Sequence, residues 1–182
     1  MEHRTLTTLL AVVTLSLPTL GTAVADEHAE DTIAQSSSAA PEFITKNATF
    51  VDRDAKVVRK GNNGWTCMPN TMPNDDAPMC NDEVWKKLLR ALGSKSDFET
   101  DRIGISYMLQ GDYGSGVSNS DPYHPDPKNA DDYVETGPHL MIVLPKKLLK
   151  GITDDPTKGG PYVMWKDTPY AHLMVPVADK KE

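Results

Sequence analysis

The chain has few cysteines, no long uninterrupted apolar run and no stripe of basic residues, and each shortage removes a class of function. Its one apolar stretch, Leu9 to Leu20, is interrupted by threonine, serine and Pro18 and falls short of the roughly 20 residues needed to span a bilayer. No later segment approaches that length. Lysine and arginine form no stripe that could neutralise phosphates, and the net charge is −7, which argues against nucleic acid and anionic membrane surfaces as partners. No Gly-x-Ser-x-Gly elbow and no His-Glu-x-x-His helix occurs, so the common hydrolase signatures are missing. Gly111, Gly114 and Gly116 are not followed by Gly-Lys-Ser/Thr and read as turn glycines, not a phosphate loop. Asp121, Asp126, Asp131 and Asp132 miss the spacing of a calcium loop and read as a solvated acidic segment.

What the chain does have begins with an export signal. Arg4 precedes the apolar run, and small residues at Ala23 and Ala25 frame a cleavage site, so residues 1–25 are expected to be removed after Ala25. That removes one cation, Arg4, and one anion, Glu2, leaving the charge at −7. No cysteine opens the mature chain and no twin arginine precedes the run, which points to general secretion into a periplasmic or extracellular space. Residues 26–42 mix charge with small polar residues and lack the apolar content that offsets ordering entropy, so they are expected to be a flexible leader. Residues 43–182 are of a size to form one globular domain.

In an exported protein, Cys67 and Cys80 read first as a disulfide closing a short loop that holds Pro69, Pro73 and Pro78. Such a closure contributes about 3 kcal/mol in the chain-entropy model, less where prolines already stiffen the unfolded loop. The alternative is a thiolate site for Cu(I), with Met68, Met72 and Met79 as soft partners.

Periodicity gives mostly strands. Thr49–Val51 and Ala55–Arg59 flank a turn at Asp52-Arg53-Asp54, and a second turn at residues 61–64 precedes Trp65. From Asp82 to Leu92, apolar Val84, Trp85, Leu88, Leu89 and Leu92 recur at helical spacing, with Asn81 to cap the start and Gly93 to end it. Ile103, Ile105, Tyr107 and Leu109 alternate with Gly104, Ser106, Met108 and Gln110, the pattern of a half-buried strand. Gly111–Ala130 reads as a long loop. A short helical turn after Pro145 and strands at 139–144, 162–165 and 172–177 complete an α+β domain: a mostly antiparallel sheet with one amphipathic helix packed on it.

The sharpest signal is an echo, His139-Leu140-Met141 and His172-Leu173-Met174, each opening an apolar strand. Alternation puts His139 with Met141 on one face, and His172 with Met174 likewise. Imidazole and thioether together suit Cu, and imidazole suits Zn, so these four residues are candidate metal ligands. The plainer account is that each histidine hydrogen-bonds backbone or a carboxylate at a strand start while the methionines fill core gaps. It is favoured as long as the register that would gather them is not given. An acid–base enzyme would use His139 or His172 with Asp112, beside the loop that carries Ser115, Ser118 and Ser120. A third class is a binding or structural module in which Trp65, Trp165 and the loop residues Tyr113, Asp121, Tyr123 and His124 meet a small molecule or partner.

Taken together, Gly-Trp65-Thr-Cys67-Met-Pro, Pro78-Met-Cys80, Ser106-Tyr-Met-Leu-Gln-Gly-Asp112, Thr136-Gly-Pro-His139-Leu-Met, Gly159-Gly-Pro-Tyr-Val-Met-Trp165 and Thr168-Pro-Tyr-Ala-His172-Leu-Met resemble a family of uncharacterised bacterial exported proteins. The resemblance runs from about Ala48 to Val177 and implies a bacterial envelope or secreted protein. It carries no activity and no catalytic residue. The expectation is therefore an exported domain that binds a small ligand or a transition metal.

Overall fold

In a computed structural model the chain is described at residues 20–71, 75–112 and 114–179. Most of the expected signal peptide, with Met72, Pro73 and Tyr113, lies outside the described residues.

Eight strands form one sheet: β1 (Thr49–Val51), β2 (Val57–Arg59), β3 (Thr66–Met68), β4 (Met79–Asn81), β5 (Gly104–Met108), β8 (His139–Val143), β9 (Tyr162–Met164) and β10 (His172–Pro176). The strands β6 (Val117–Ser118) and β7 (Tyr133–Val134) form a separate two-stranded ribbon. Sheet order is β2-β1-β3-β4-β5-β8-β10-β9. Every pairing is antiparallel except β1 with β3. The helices are α1 (Leu20–Ser37), α2 (Glu42–Thr45) and α3 (Glu83–Ser94). The domain is α+β with a mostly antiparallel sheet, as the pattern of elements implied.

α3 buries Val84, Trp85, Leu88 and Ala91 against one face of the sheet. Its cap is Asp82 and not Asn81: Asp82 Oδ1 accepts from Trp85 N at 2.8 Å, while Oδ2 accepts from Ile105 N at 2.8 Å. One carboxylate thus ends the helix and ties it to β5, a double duty that Asn81, buried in β4 and accepting from Ser106 Oγ at 2.7 Å, does not perform. Gly93 does not end the helix either; the turn continues to Ser94 and Lys95 takes the left-handed conformation at φ 54°.

In β5 the face of Gly104, Ser106 and Met108 turns inward beneath α3, whereas Ile105 and Tyr107 are only half-buried and Ile103, just before the strand, is 61% exposed. The cause is close packing. A Cβ on Gly104 would come within 2.8 Å of both Val143 Cγ1 and Val84 Cβ and 2.9 Å of Trp85 N, so a bare glycine lets the helix start settle on the sheet.

The opposite face carries a second helix. Residues 26–42, expected to be a flexible leader, instead continue α1 to Ser37 and turn into α2. Thr32, Ser36, Ala39 and Ala40 are buried, and their cluster reaches Phe50, Cys67 and Cys80. Few large apolar residues are needed because small ones approach closely and polar groups find local partners: Ser36 Oγ donates to the Thr32 carbonyl at 2.7 Å, and Gln35 Nε2 to the Pro69 carbonyl at 3.0 Å. The expected cleavage position after Ala25 falls within α1.

Cys67 and Cys80 sit opposite each other on β3 and β4 and are joined by a disulfide. The described residues therefore hold no free thiolate for the Cu(I) alternative. Among them no helix is long and apolar enough to cross a membrane.

Candidate ligand-binding cavity

The register of β8 and β10 settles where the echoed tripeptides go. Met141 pairs directly with Met174, and His139 with Pro176, so His139 and His172 share one face of adjacent strands with the methionine pair between them. Each histidine also faces a methionine on its outer neighbour: Met108 of β5 opposite His139, and Met164 of β9 opposite His172. A local two-fold axis through the Met141–Met174 pair therefore relates His139–Met141–Met108 to His172–Met174–Met164. Each Nδ1 lies within hydrogen-bond distance of a carbonyl two residues back, Gly137 O at 2.7 Å and Tyr170 O at 2.9 Å. These carbonyls can only accept, so each Nδ1 carries a proton and Nε2 is the ring nitrogen turned to the cavity.

The four residues do not make one ligand shell. His139 is opposite Pro176, four positions beyond His172, an offset of about 13 Å along the strands. Both Nδ1 bonds anchor the rings on the sides away from the axis. Two nitrogens on one ion need to lie within about 4 Å of each other. Consistently, no group of three or more histidine, cysteine, aspartate or glutamate residues is placed to hold a metal ion among the described residues.

What the register does build is the floor of a cavity of about 110 Å³, bordered above by α3 and at the side by Asp112, Ser115, Val117 and Trp165. Five of the chain's eight methionines line it: Met79, Met108, Met141, Met164 and Met174. Trp85, Trp165, Leu88, Leu89 and Leu92 complete the apolar wall, and Thr71, Asp112, Ser115 and both histidines are the polar members. An apolar cavity of roughly 150 Å³ accommodates benzene, so this space fits only a small molecule or an ion.

The two ends of the cavity differ. Asp112 Oδ1 stands 3.9 Å from His139 Nε2, and its Oδ2 accepts from Thr136 N at 2.5 Å. Burial pushes the Asp112 carboxyl above its ordinary range, opposed by the nearby His139 and by the Thr136 N–H. Thr136 Oγ1 in turn shares a 2.9 Å hydrogen bond with Tyr162 OH, whose pKa burial pushes up to about 12. At the other end, His172 packs against two indoles, Trp85 at 5.2 Å and Trp165 at 5.0 Å between centroids, both edge-to-face. Burial drives the His172 imidazole down to about 4, with His139 a lesser push in the same direction, so it is neutral at pH 7. Among the described residues, three buried polar atoms of this lining, His139 Nε2, His172 Nε2 and Trp85 Nε1, have no hydrogen-bond partner. Most buried polar atoms in folded proteins are hydrogen-bonded, so these three keep the capacity to meet a ligand atom.

Trp165 reaches the cavity through a left-handed backbone, φ 54°, at a cost of about 1–2 kcal/mol for a residue with a Cβ. Its N–H donates to Asn119 O at 2.7 Å and its Nε1–H to Ser118 O at 3.0 Å, pinning the β6 segment against the cavity wall.

Comparison with protein-family models, curated proteins and solved structures returns no match. The site is accordingly read from its own geometry.

That geometry sorts the candidates. Asp112, His139, Met141, His172 and Met174 all line the one cavity. Asp121, Tyr123 and His124 do not: Asp121 Oδ1 accepts from Tyr123 N at 2.8 Å and His124 Nδ1 from Asp126 N at 3.2 Å, both turn contacts. Tyr123 OH donates to the Leu92 carbonyl at 2.7 Å, strapping the loop to the end of α3. Tyr113 lies outside the described residues. Trp65 packs with Tyr107 on the disulfide face, 5.4 Å between centroids. Sequence reasoning missed Met108, Met164 and Trp85 as members of the site. The available signal was that both strands flanking the echoed pair carry a methionine.

Proposed function

We propose that this chain is an exported bacterial protein of the cell envelope whose methionine-lined cavity binds a small ligand or a transition-metal ion. The observation that carries the reading is the convergence in one small cavity of five methionines with two buried imidazoles, each presenting a free Nε2. Soft thioethers and a neutral imidazole are the donors that a soft cation selects. The same apolar walls with a few fixed polar atoms suit a compact organic ligand. The signal-like start of the chain and the Cys67–Cys80 bond support an oxidising compartment outside the cytoplasm.

A second reading rests on the Asp112–His139 contact. A carboxyl raised by burial facing an imidazole Nε2 is the arrangement an acid–base pair uses, and it would act on a molecule held at the polar end of the same cavity.

The test uses Trp85 and Trp165 as built-in reporters. The full chain is titrated with benzene as an apolar probe and, separately, with Cu(I) and Ag(I), while tryptophan emission and thermal unfolding are followed. Ligand at about 100-fold its Kd stabilises by about 2.7 kcal/mol, a rise in Tm of about 5–10 °C for a domain of this size. That shift, abolished by filling the cavity with Leu89→Trp, is the expected result. Absence of any shift with all three probes overturns the reading.

A further inference from the structure

The two-fold arrangement around Met141–Met174 makes two near-equivalent sets of three donors, and their surroundings separate them. Resting on the reading of the cavity as a binding site, we propose that the set formed by His172, Met164 and Met174 binds a single Cu(I) ion.

The placement follows from register. Met164 lies directly across from His172 on β9, and Met174 is two residues along the same face of β10. Directly opposed residues keep their Cβ atoms about 4.5–5.5 Å apart, and i,i+2 residues on one strand are spaced by about 6.6 Å. Side chains rooted this close on one face can reach a common point above the sheet. Methionine's three rotatable bonds allow the thioethers to close on an ion without moving backbone. The imidazole is already oriented, because its Nδ1–H is spent on Tyr170 O and Nε2 is the free nitrogen, the same outer-shell device that fixes histidine ligands in metal sites.

Ion identity follows from donor chemistry. All three donors are neutral, and two are thioethers, which select Cu(I); Zn(II) is held by thiolate, imidazole and carboxylate. A monovalent ion among neutral donors carries the smallest uncompensated charge into a dry site. The indoles of Trp85 and Trp165, 5.2 and 5.0 Å from the His172 ring, cover this end of the cavity with apolar surface. The matching set, His139–Met141–Met108, has the Asp112 carboxyl 3.9 Å from its free nitrogen. That oxygen gives the imidazole a hard neighbour and breaks the equivalence of the halves.

The experiment is an anaerobic titration of the full chain with Cu(I) against a colorimetric Cu(I) chelator, with Ag(I) and Zn(II) titrated separately and tryptophan emission recorded. One Cu(I) per chain is expected, with Ag(I) in its place, strong quenching of emission and no competition from Zn(II). Met164→Leu and Met174→Leu, which keep volume and fold, are each expected to weaken Cu(I) at least tenfold. His172→Ala is expected to abolish retention, while Met108→Leu and Met141→Leu stay within about twofold. Equal weakening by Met108→Leu, or indifference to Met164→Leu and Met174→Leu, overturns the assignment. Failure to bind Cu(I) while benzene still raises Tm overturns this inference and leaves the cavity reading standing; failure of both probes removes both.

Discussion

In ion-free protein, stability falls as the pH drops from neutrality toward 4, because His172 is buried between two tryptophans and stays neutral in the fold. Its pKa moves from an ordinary 6.5 to about 4. Between those values the unfolded chain holds a proton that the folded chain refuses, so the unfolding free energy rises with pH across the window. The stability associated with the neutral imidazole is complete above about 6.5, is lost progressively on the way down and is gone below about 4. At about 1.4 kcal/mol per pH unit, the loss is about 3 kcal/mol. Asp112 contributes with the opposite sign: its raised carboxyl stabilises the fold at low pH, and that contribution is lost as the pH rises through its folded value. Urea unfolding of chelator-treated protein, compared with His172→Phe at several pH values between about 7 and 4, isolates the effect, since Asp112 is common to both chains. The wild type loses about 3 kcal/mol more than the variant over that interval. Parallel pH profiles for the two proteins refute the burial argument.

Two further expectations concern how α3 is seated over the cavity. Asp82→Ala removes both the helix cap and the acceptor for Ile105 N, which costs about 2–3 kcal/mol in urea unfolding, whereas Asp82→Asn, with one acceptor oxygen, keeps the cap at best and still loses the Ile105 bond; a loss below about 0.5 kcal/mol for Asp82→Ala would mean the carboxylate does not join helix to strand. Gly104→Ala, which in an open strand would stabilise, here forces a Cβ to within 2.8 Å of Val84 and Val143 and destabilises by about 1–3 kcal/mol, read from the midpoint of thermal unfolding; an unchanged or higher midpoint contradicts the close approach of helix and sheet.

How far the sequence spoke depended on whether a signal was local. The periodicity of residues 84–92 located α3, because a buried helical stripe leaves a 3.6-residue trace. Its cap was misplaced by one residue, since Asn81 and Asp82 are equally good local candidates and the choice is made by a strand 23 residues away. Alternation found β5 but not which face is buried: period two reports that faces differ, and only the helix above, which needs Gly104 bare, says which turns inward. Residues 26–42 read as a leader by composition, yet α1 is held by small residues and local hydrogen bonds that hydropathy does not count. For the site, the echoed tripeptides were visible and their adjacency was not. Register is a long-range property, and it separates the two histidines that the echo invited us to unite.

The same register explains why a repeated tripeptide need not mean a repeated function. Antiparallel pairing at Met141–Met174 places both His-Leu-Met segments in equivalent positions on one sheet face, with a methionine across from each histidine and a carbonyl two residues back to orient it. Had the strands alone set the chemistry, the two ends of the cavity would be alike. They differ because what covers them is unrelated: α3 and the left-handed Trp165 lay indole rings on His172, while the segment after β5 brings Asp112 to His139. Indoles exclude water and leave the imidazole neutral and its Nε2 available, the condition for holding a soft cation. A buried carboxyl beside the other imidazole instead supplies a proton-binding partner, the condition for acid–base work or for orienting a polar ligand. The sheet supplies two equivalent sets of one histidine and two methionines, and the cover gives them different surroundings.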